Sequence, residues 1–346
     1  MTCNALAAKY PTVEKKVIDC GLRYEIVRLI HAGGMGVVYE AKQFGVREFV
    51  KRVAIKLIGE KHAREHPFVE DFIGEARLVA DLIHTNIVQT YHLGQADGGL
   101  FIVMELVNGV NLQQLRQQAA DYRAIIPREL AVLITSRVCR GLSYAHAKSD
   151  PDGVPLHIVH RDVCPKNIMV AFEGDVKLSD FGVAKARGFL KNDDGEVRAG
   201  KVDYMSPEQA DYQPTDPRSD LFSTGVVLAQ LLVGYNIFRA ASTDACIENI
   251  RKLPIPDFRK LSKQIDDRLD HILQRALQRD VNQRYQSASE MLYDLEHYIY
   301  HAGYGPTNET LGKYVRDLYH NKPVIMSRRK TASHLTQTRV LVKKKK

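Results

Sequence analysis

The sequence predicts an α+β protein of two lobes, a small β-rich one followed by a larger helical one, with a cleft between them. Three observations predict it. Between Arg23 and Ile58 the runs RYEIVRLI, GVVYEAK and VAIKLI are strand-like, separated by glycine or by the mixed loop QFGVRE. From Pro127 onward apolar residues recur at helical intervals, as in Leu130, Ile134, Val138 and Leu142. A chain of 346 residues also favours about two domains or one large bilobal unit.

Taken in order, residues 1–20 form an N-terminal extension with no long apolar run behind a basic start, so they do not read as a secretory signal. IHAGGMGVVYEAK then sets Gly33, Gly34 and Gly36 in a hairpin, where absent side chains let backbone N–H groups approach phosphates. Helical spacing runs from Pro67 to Leu82, and a second strand pair follows at NIVQTYHLG and GLFIVMELV. KSDPDGVP is a loop. The uncharged run Leu221 to Phe238 approaches the length of a membrane span. It carries Ser223, Thr224, Gln230 and Asn236 between Asp220 and Arg239, so a helix buried in a large domain is expected and no transmembrane segment. Helices continue to about Tyr300. HAGYGPTNET then reads as a hinge, ahead of an amphipathic stretch with Leu311, Val315 and Leu318 on one face, suited to docking on the larger lobe.

Five scattered cysteines without a CxxC pair argue against a disulfide frame or zinc site and for a reducing, cytoplasmic home. The net charge of +8 is unevenly spread. Nine positive charges and no acid lie from Lys322 to the end, which leaves −1 for the rest. The basicity belongs to a tail that is expected to be partly disordered. Its sharper readings are a segment that contacts the chain's own cleft or an anchor for an anionic lipid or nucleic acid.

The chemistry concentrates in HIVHRDVCPKNIMV, where Asp162, Lys166 and Asn167 fall close together between apolar runs. Alone, the glycine hairpin, Lys56 of VAIK or Glu75 of FIGEARLVADL says little. Joined in order to HRDVCPKN, KLSDFGVAK, YMSPEQ and RSDLFSTG, they resemble the bacterial, Hanks-type serine/threonine protein kinase family across roughly Leu22 to Tyr300.

The resemblance implies the bilobal protein kinase fold, with an N-lobe over 21–105, a C-lobe over 108–300 and the tail over 301–346. It implies ATP and magnesium or manganese as cofactors and a protein as substrate. Lys56 would hold the α- and β-phosphates with Glu75 fixing its ammonium, and Asp162 would orient the substrate hydroxyl. Asn167 and Asp180 of DFG would ligate the metal. Gly33, Gly34, Gly36, Val38 and Ala54 would enclose the nucleotide. Met104 would sit behind the adenine, Glu105 to Val107 would offer backbone hydrogen bonds, and Asn111 would face the ribose. Glu208 and Arg284 resemble a buried ion pair beneath the substrate platform, and Asp220 resembles the residue that anchors the catalytic loop.

Three departures matter. His31 stands at the first loop glycine. Cys164 stands where serine/threonine kinases carry a lysine that touches the transferred phosphate, which makes Lys201, ahead of Lys166, the expected substitute cation. Val183 to Met205 holds no serine or threonine and Tyr204 as its one hydroxyl, so ordinary switching by serine or threonine phosphorylation there is unavailable, and Asp193, Asp194 or Glu196 could pair with Arg161 without modification. Two rivals to a serine/threonine protein kinase follow. One is a pseudokinase, a nucleotide-binding interaction module without transfer. The other is a small-molecule kinase, against which Ser206 to Glu208 weigh because they belong to a polypeptide platform. Lys166 leaves tyrosine open as the acceptor.

Overall fold

The computed structural model describes residues 17–19, 21–33, 36–58, 73, 79–96, 99–122, 124–181 and 202–320. Its first part is a six-stranded antiparallel sheet built from β1 (Val17–Asp19), β2 (Arg23–Gly33), β3 (Gly36–Phe44), β4 (Val50–Ile58), β5 (Thr90–Ala96) and β6 (Gly99–Glu105). The strand order is β1-β2-β3-β4-β6-β5. The β-branched and aromatic alternation seen in the sequence sends Tyr24, Ala41, Val53, Ile55, Phe101 and Val103 to one face, where they form a core of their own. β2 and β3 meet in a tight hairpin with Gly33 opposite Gly36, and Gly36 takes φ +152°, a conformation that side chains oppose. Most of the expected helix from Pro67 to Leu82, with Glu75, lies outside the described residues.

After the sheet comes a helical body with a second sheet set into it. β7 (Gly109–Asn111), β8 (Ile168–Ala171) and β9 (Val176–Leu178) pair antiparallel in that order. Strands this short carry too few alternating residues to be read from sequence. The helices are α1 (Leu112–Asp121), α2 (Arg128–His146), α3 (Pro207–Ala210), α4 (Pro217–Val233), α5 (Thr243–Lys252), α6 (Asp267–Ala276), α7 (Ala288–Tyr300) and α8 (Asn308–His320). On α2, Leu130, Ile134, Val138 and Leu142 are all buried, as their spacing of four requires.

The uncharged run from Leu221 forms most of α4, buried on every side at the centre of the large core. Asp216 caps its start, accepting from Arg218 N at 2.8 Å, and Gly234 ends it at φ +95°. No helix among the described residues is long and apolar enough to cross a membrane. Polar residues on this buried helix are all spoken for: Ser223 donates to Tyr204 O at 2.6 Å and Thr224 to Asp220 O at 2.7 Å.

The amphipathic stretch after the hinge forms α8 and packs on the same core through Leu311 and Val315, both fully buried, with Leu318 beside them. Two glycines permit the approach. A Cβ on Gly174 would lie 1.7 Å from Asn308 O, and one on Gly312 would lie 2.6 Å from the Glu173 carbonyl carbon. Asn308 Nδ2 donates to Asp175 Oδ1 at 2.8 Å, Arg316 Nη1 to Phe172 O at 2.5 Å and Gln118 Nε2 to Leu318 O at 3.1 Å. This helix therefore clamps the β8–β9 turn and α1. Replacing Leu311 by alanine is expected to cost about 2–5 kcal/mol of unfolding free energy, measured by urea titration. A loss below about 0.5 kcal/mol, the size of an ordinary surface change, would mean that α8 does not contribute to the core.

Candidate active site

Strand register builds the roof of the cleft. Val38 pairs with Lys56 across β3–β4, and Ala54 pairs with Met104 across β4–β6. Partners across an antiparallel pair point to the same face, so Val38, Ala54, Lys56 and Met104 line one surface. His31, in β2 opposite Val38, is part of the strand and exposed. Glu105 closes β6, and its carboxylate takes Lys177 Nζ at 3.0 Å and Gln89 N at 3.2 Å, which ties the connection after β6 to β9. Val107 follows in that connection. Asn111 Oδ1 accepts from Gln114 N at 2.9 Å while Gln114 Oε1 accepts from Asn111 N at 3.0 Å, so this side chain caps α1 as well as bordering the cleft.

The floor is the loop His157 to Asn167. His157, Arg161 and Asp180 all have positive φ, at 49°, 62° and 56°. For residues with a Cβ such backbone is costly and persists only where neighbours fix it. Asp220, on α4, does the fixing. Its Oδ2 accepts from His160 N and its Oδ1 from Arg161 N, both at 2.8 Å, and His146 Nε2 lies 2.8 Å from Oδ2. Gln209 Nε2 donates to Arg161 O at 3.0 Å, and Arg161 Nε to Thr215 Oγ1 at 3.1 Å. Burial alone would raise the Asp220 carboxyl, but hydrogen bonding and charge from His146 and His160 outweigh it and hold the group below its usual range.

On this base the expected residues converge. Asn167 Nδ2 donates to Asp162 Oδ2 and to Asp162 O, each at 2.9 Å. Ser179 N and Oγ both donate to Asn167 O, at 2.8 and 3.1 Å, and the His160 ring packs tilted against Phe181 at 4.6 Å, so the segment around Asp180 is bound to the same loop. Lys56 Nζ crosses the cleft to Asp180 Oδ1 at 2.5 Å. Cys164 is buried with Sγ 4.0 Å from Asp162 Oδ1, and Lys166 is exposed. Gly34, Glu75, Lys201, Asp193, Asp194, Glu196 and the basic tail from 321 lie outside the described residues.

Glu208 and Arg284 meet as the resemblance implied. Arg284 is almost fully buried, with Nη1 and Nη2 at 2.9 and 3.2 Å from the Glu208 oxygens. Arg284 also donates to Arg218 O and Gln278 O, while Ser219 Oγ donates to Glu208 at 2.6 Å. Desolvation pushes the Glu208 carboxyl up, yet Arg284 and Ser219 more than offset it and leave the group below its ordinary value of 4.5. Sequence reasoning passed over His146, Gln209 and Lys177, because each acts through a contact made only by the fold.

A protein kinase domain family model matches residues 24–295. The chain is 34% identical over 276 residues to the tyrosine-protein kinase MasK of Myxococcus xanthus, covering 80% of this chain and 43% of that protein. It is 35% identical over 280 residues to the serine/threonine-protein kinase PknB of Mycolicibacterium smegmatis, with 79% and 42% covered. Among solved structures, the PknI kinase domain of Mycobacterium tuberculosis superposes with a TM-score of 0.61 at 25% identity, covering 79% of this chain and 94% of that one. The fold and the convergent loop thus define a bilobal kinase, and the chain belongs to the protein kinase family. Within it the relatives are of the bacterial, Hanks type. The chain spans less than half the length of these curated relatives.

Two outcomes test the platform beneath the site. Arg284→Ala, which strands a buried carboxylate, is expected to lose about 3–5 kcal/mol in denaturant unfolding. A carboxyl held low in the fold stabilises fully above its unfolded pKa and loses that contribution as pH falls toward the folded value. The stability gap between wild type and Glu208→Gln is therefore expected to narrow on going from about pH 6 to about pH 3. A gap that stays constant with pH would contradict the assigned ionisation.

Proposed function

We propose that this chain is an ATP-dependent protein kinase that transfers the γ-phosphoryl group to serine or threonine hydroxyls of protein substrates. One observation carries the reading: Asp162 is gripped by Asn167 at 2.9 Å, and Lys56 of the sheet pairs with Asp180, which follows the segment bound to Asn167, in a chain of the protein kinase family. Phosphoryl transfer needs positioning and charge neutralisation more than covalent help, and these residues supply both. Asp162 accepts the hydrogen bond of the acceptor hydroxyl through a carboxylate whose direction is fixed by Asn167. Lys56 neutralises phosphate oxygens beneath the hairpin of Gly33 and Gly36.

A hard divalent cation fits the donor set. Asn167 turns its amide nitrogen to Asp162, which leaves its carbonyl oxygen, and the Asp180 carboxylate is partly exposed. These two residues would hold magnesium or manganese, whose contribution when bound is to neutralise charge on the phosphate oxygens. Cys164 brings no cation to the transferred group. Lys201 is the favoured source of that charge, since Lys166 faces solvent. Action in the cytoplasm suits both the need for ATP and the free buried thiols of Cys139, Cys164 and Cys246.

The test is transfer of labelled γ-phosphate to the chain itself and to a generic basic protein, followed by phosphoamino acid analysis. Phosphoserine or phosphothreonine is expected, falling by about 10²–10⁴ in Asp162→Asn. Lys201→Ala is expected to lose about 10²–10³ in rate and Lys166→Ala to stay within a few fold of wild type. Phosphotyrosine instead would align the chain with MasK in acceptor as well as in sequence. Retained nucleotide binding with no transfer by wild type would favour a pseudokinase.

A further inference from the structure

On α1 lies a guanidinium that no carboxylate among the described residues neutralises. Arg116, on α1, donates from Nη2 to Gly234 O at 2.9 Å. Both its terminal nitrogens also face the buried Gln230 side chain at 3.1 and 3.2 Å, so the amide oxygen points to Arg116 and the amide nitrogen to Tyr204 Oη at 2.7 Å. No carboxylate among the described residues pairs with Arg116. The nearby Asp203 is taken by Arg239 at 2.6 Å, and the charge of Arg239 opposes that of Arg116. Burial draws the guanidinium below its ordinary value, but it stays charged at neutral pH.

Carbonyl and amide oxygens orient a cation without neutralising it, and a partly desolvated charge left so is costly. Such a group beside a cleft is suited to a ligand that brings the missing charge. The route to the reacting atom is short. α1 begins against the catalytic loop, with Gln113 N donating to Pro165 O at 3.1 Å, and Cys164, the residue before Pro165, has its Sγ 4.0 Å from Asp162 Oδ1. An extended peptide advances about 3.3–3.6 Å per residue, so a few residues of a substrate whose acceptor is held at Asp162 span the stretch from the catalytic loop to α1.

We propose that Arg116, oriented by Gln230 and Gly234, is a specificity-determining residue that binds an anionic side chain of the protein substrate close in sequence to the acceptor hydroxyl. This rests on the protein kinase reading above and adds the substrate class to it. The anion is a carboxylate or a phosphoryl group already on the substrate, both of which a guanidinium fork can accept through paired hydrogen bonds.

The experiment is a peptide panel with one serine or threonine acceptor, in which each of the four positions on either side carries aspartate, phosphoserine, alanine or lysine in turn. kcat/KM is measured with the full chain, and the readout is the ratio of anionic to alanine peptide within each variant, which cancels any general loss of turnover. Wild type is expected to favour an anion at one position by about tenfold or more. Arg116→Gln is expected to flatten that ratio, and Gln230→Glu, which supplies an internal carboxylate while leaving Arg116 in place, is expected to flatten it too. Cooperative thermal unfolding of both variants confirms that they are folded. Phosphoserine outranking aspartate would identify previously phosphorylated substrates as the source of the anion, and the reverse would identify acidic sequences. A wild type active on the panel without anionic preference overturns the proposal alone, as does a preference that survives in both variants. No transfer to any peptide or to the basic protein overturns the kinase reading and this inference with it.

Discussion

The buried carboxylate of Asp220 is the constraint on which the rest of the cleft depends. Two consecutive amides, those of His160 and Arg161, converge on it, and the ring of His146 closes a third side. Two N–H groups can point inward at one side chain only if the backbone between them turns sharply, and Arg161 accordingly sits at φ +62°. That turn aims the next residue, Asp162, into the cleft. The charge is buried on the most apolar helix among the described residues, where it would be prohibitive without these donors.

The same helix carries the substrate side. Ser219 and Asp220 are adjacent on α4, so one turn of helix reaches both the Glu208–Arg284 pair and the catalytic loop. Further along, Ser223 fixes the Tyr204 carbonyl and Gln230 meets its hydroxyl. A helix apolar enough to suggest a membrane span is thus a central post whose few polar residues each hold a different piece of the site. α8 adds a clamp from outside, pressed against the β8–β9 turn where Gly174 and Gly312 leave room. What joins these parts is packing of rigid elements rather than any long polar chain.

Much of this was legible in the sequence, and for identifiable reasons. Alternation and glycine spacing gave the strands β2 to β6, whose side chains have one buried and one open face to report. HRDVCPKN put Asp162, Lys166 and Asn167 visibly close together in the chain, and the resemblance to the family gave roles to Asp162, Asn167 and the Asp180 of DFG. Asp220 and the Glu208–Arg284 pair were reached through resemblance to the family, since partners separated by 59 and 76 residues leave no local trace. His146, Lys177 and Arg116 were not reached at all. Each is an ordinary polar residue on a helix or strand, and only the fold brings it to its partner. Strands β7 to β9 were missed because three or four residues are too few for a period to emerge.

The measurement that bears most directly on this account is the phosphoryl-transfer rate of Asp220→Asn, with its ATP KM and its thermal unfolding followed in parallel. Asparagine keeps the shape and one acceptor oxygen but presents an N–H where the loop needs a second acceptor. A misaimed Asp162 is expected to lower kcat by about a hundredfold in a protein that still unfolds cooperatively and still binds ATP, because errors of about 1 Å in positioning cost that much. Full turnover in the folded variant would mean that the loop holds its own turn, and that Asp220 is not what aims Asp162.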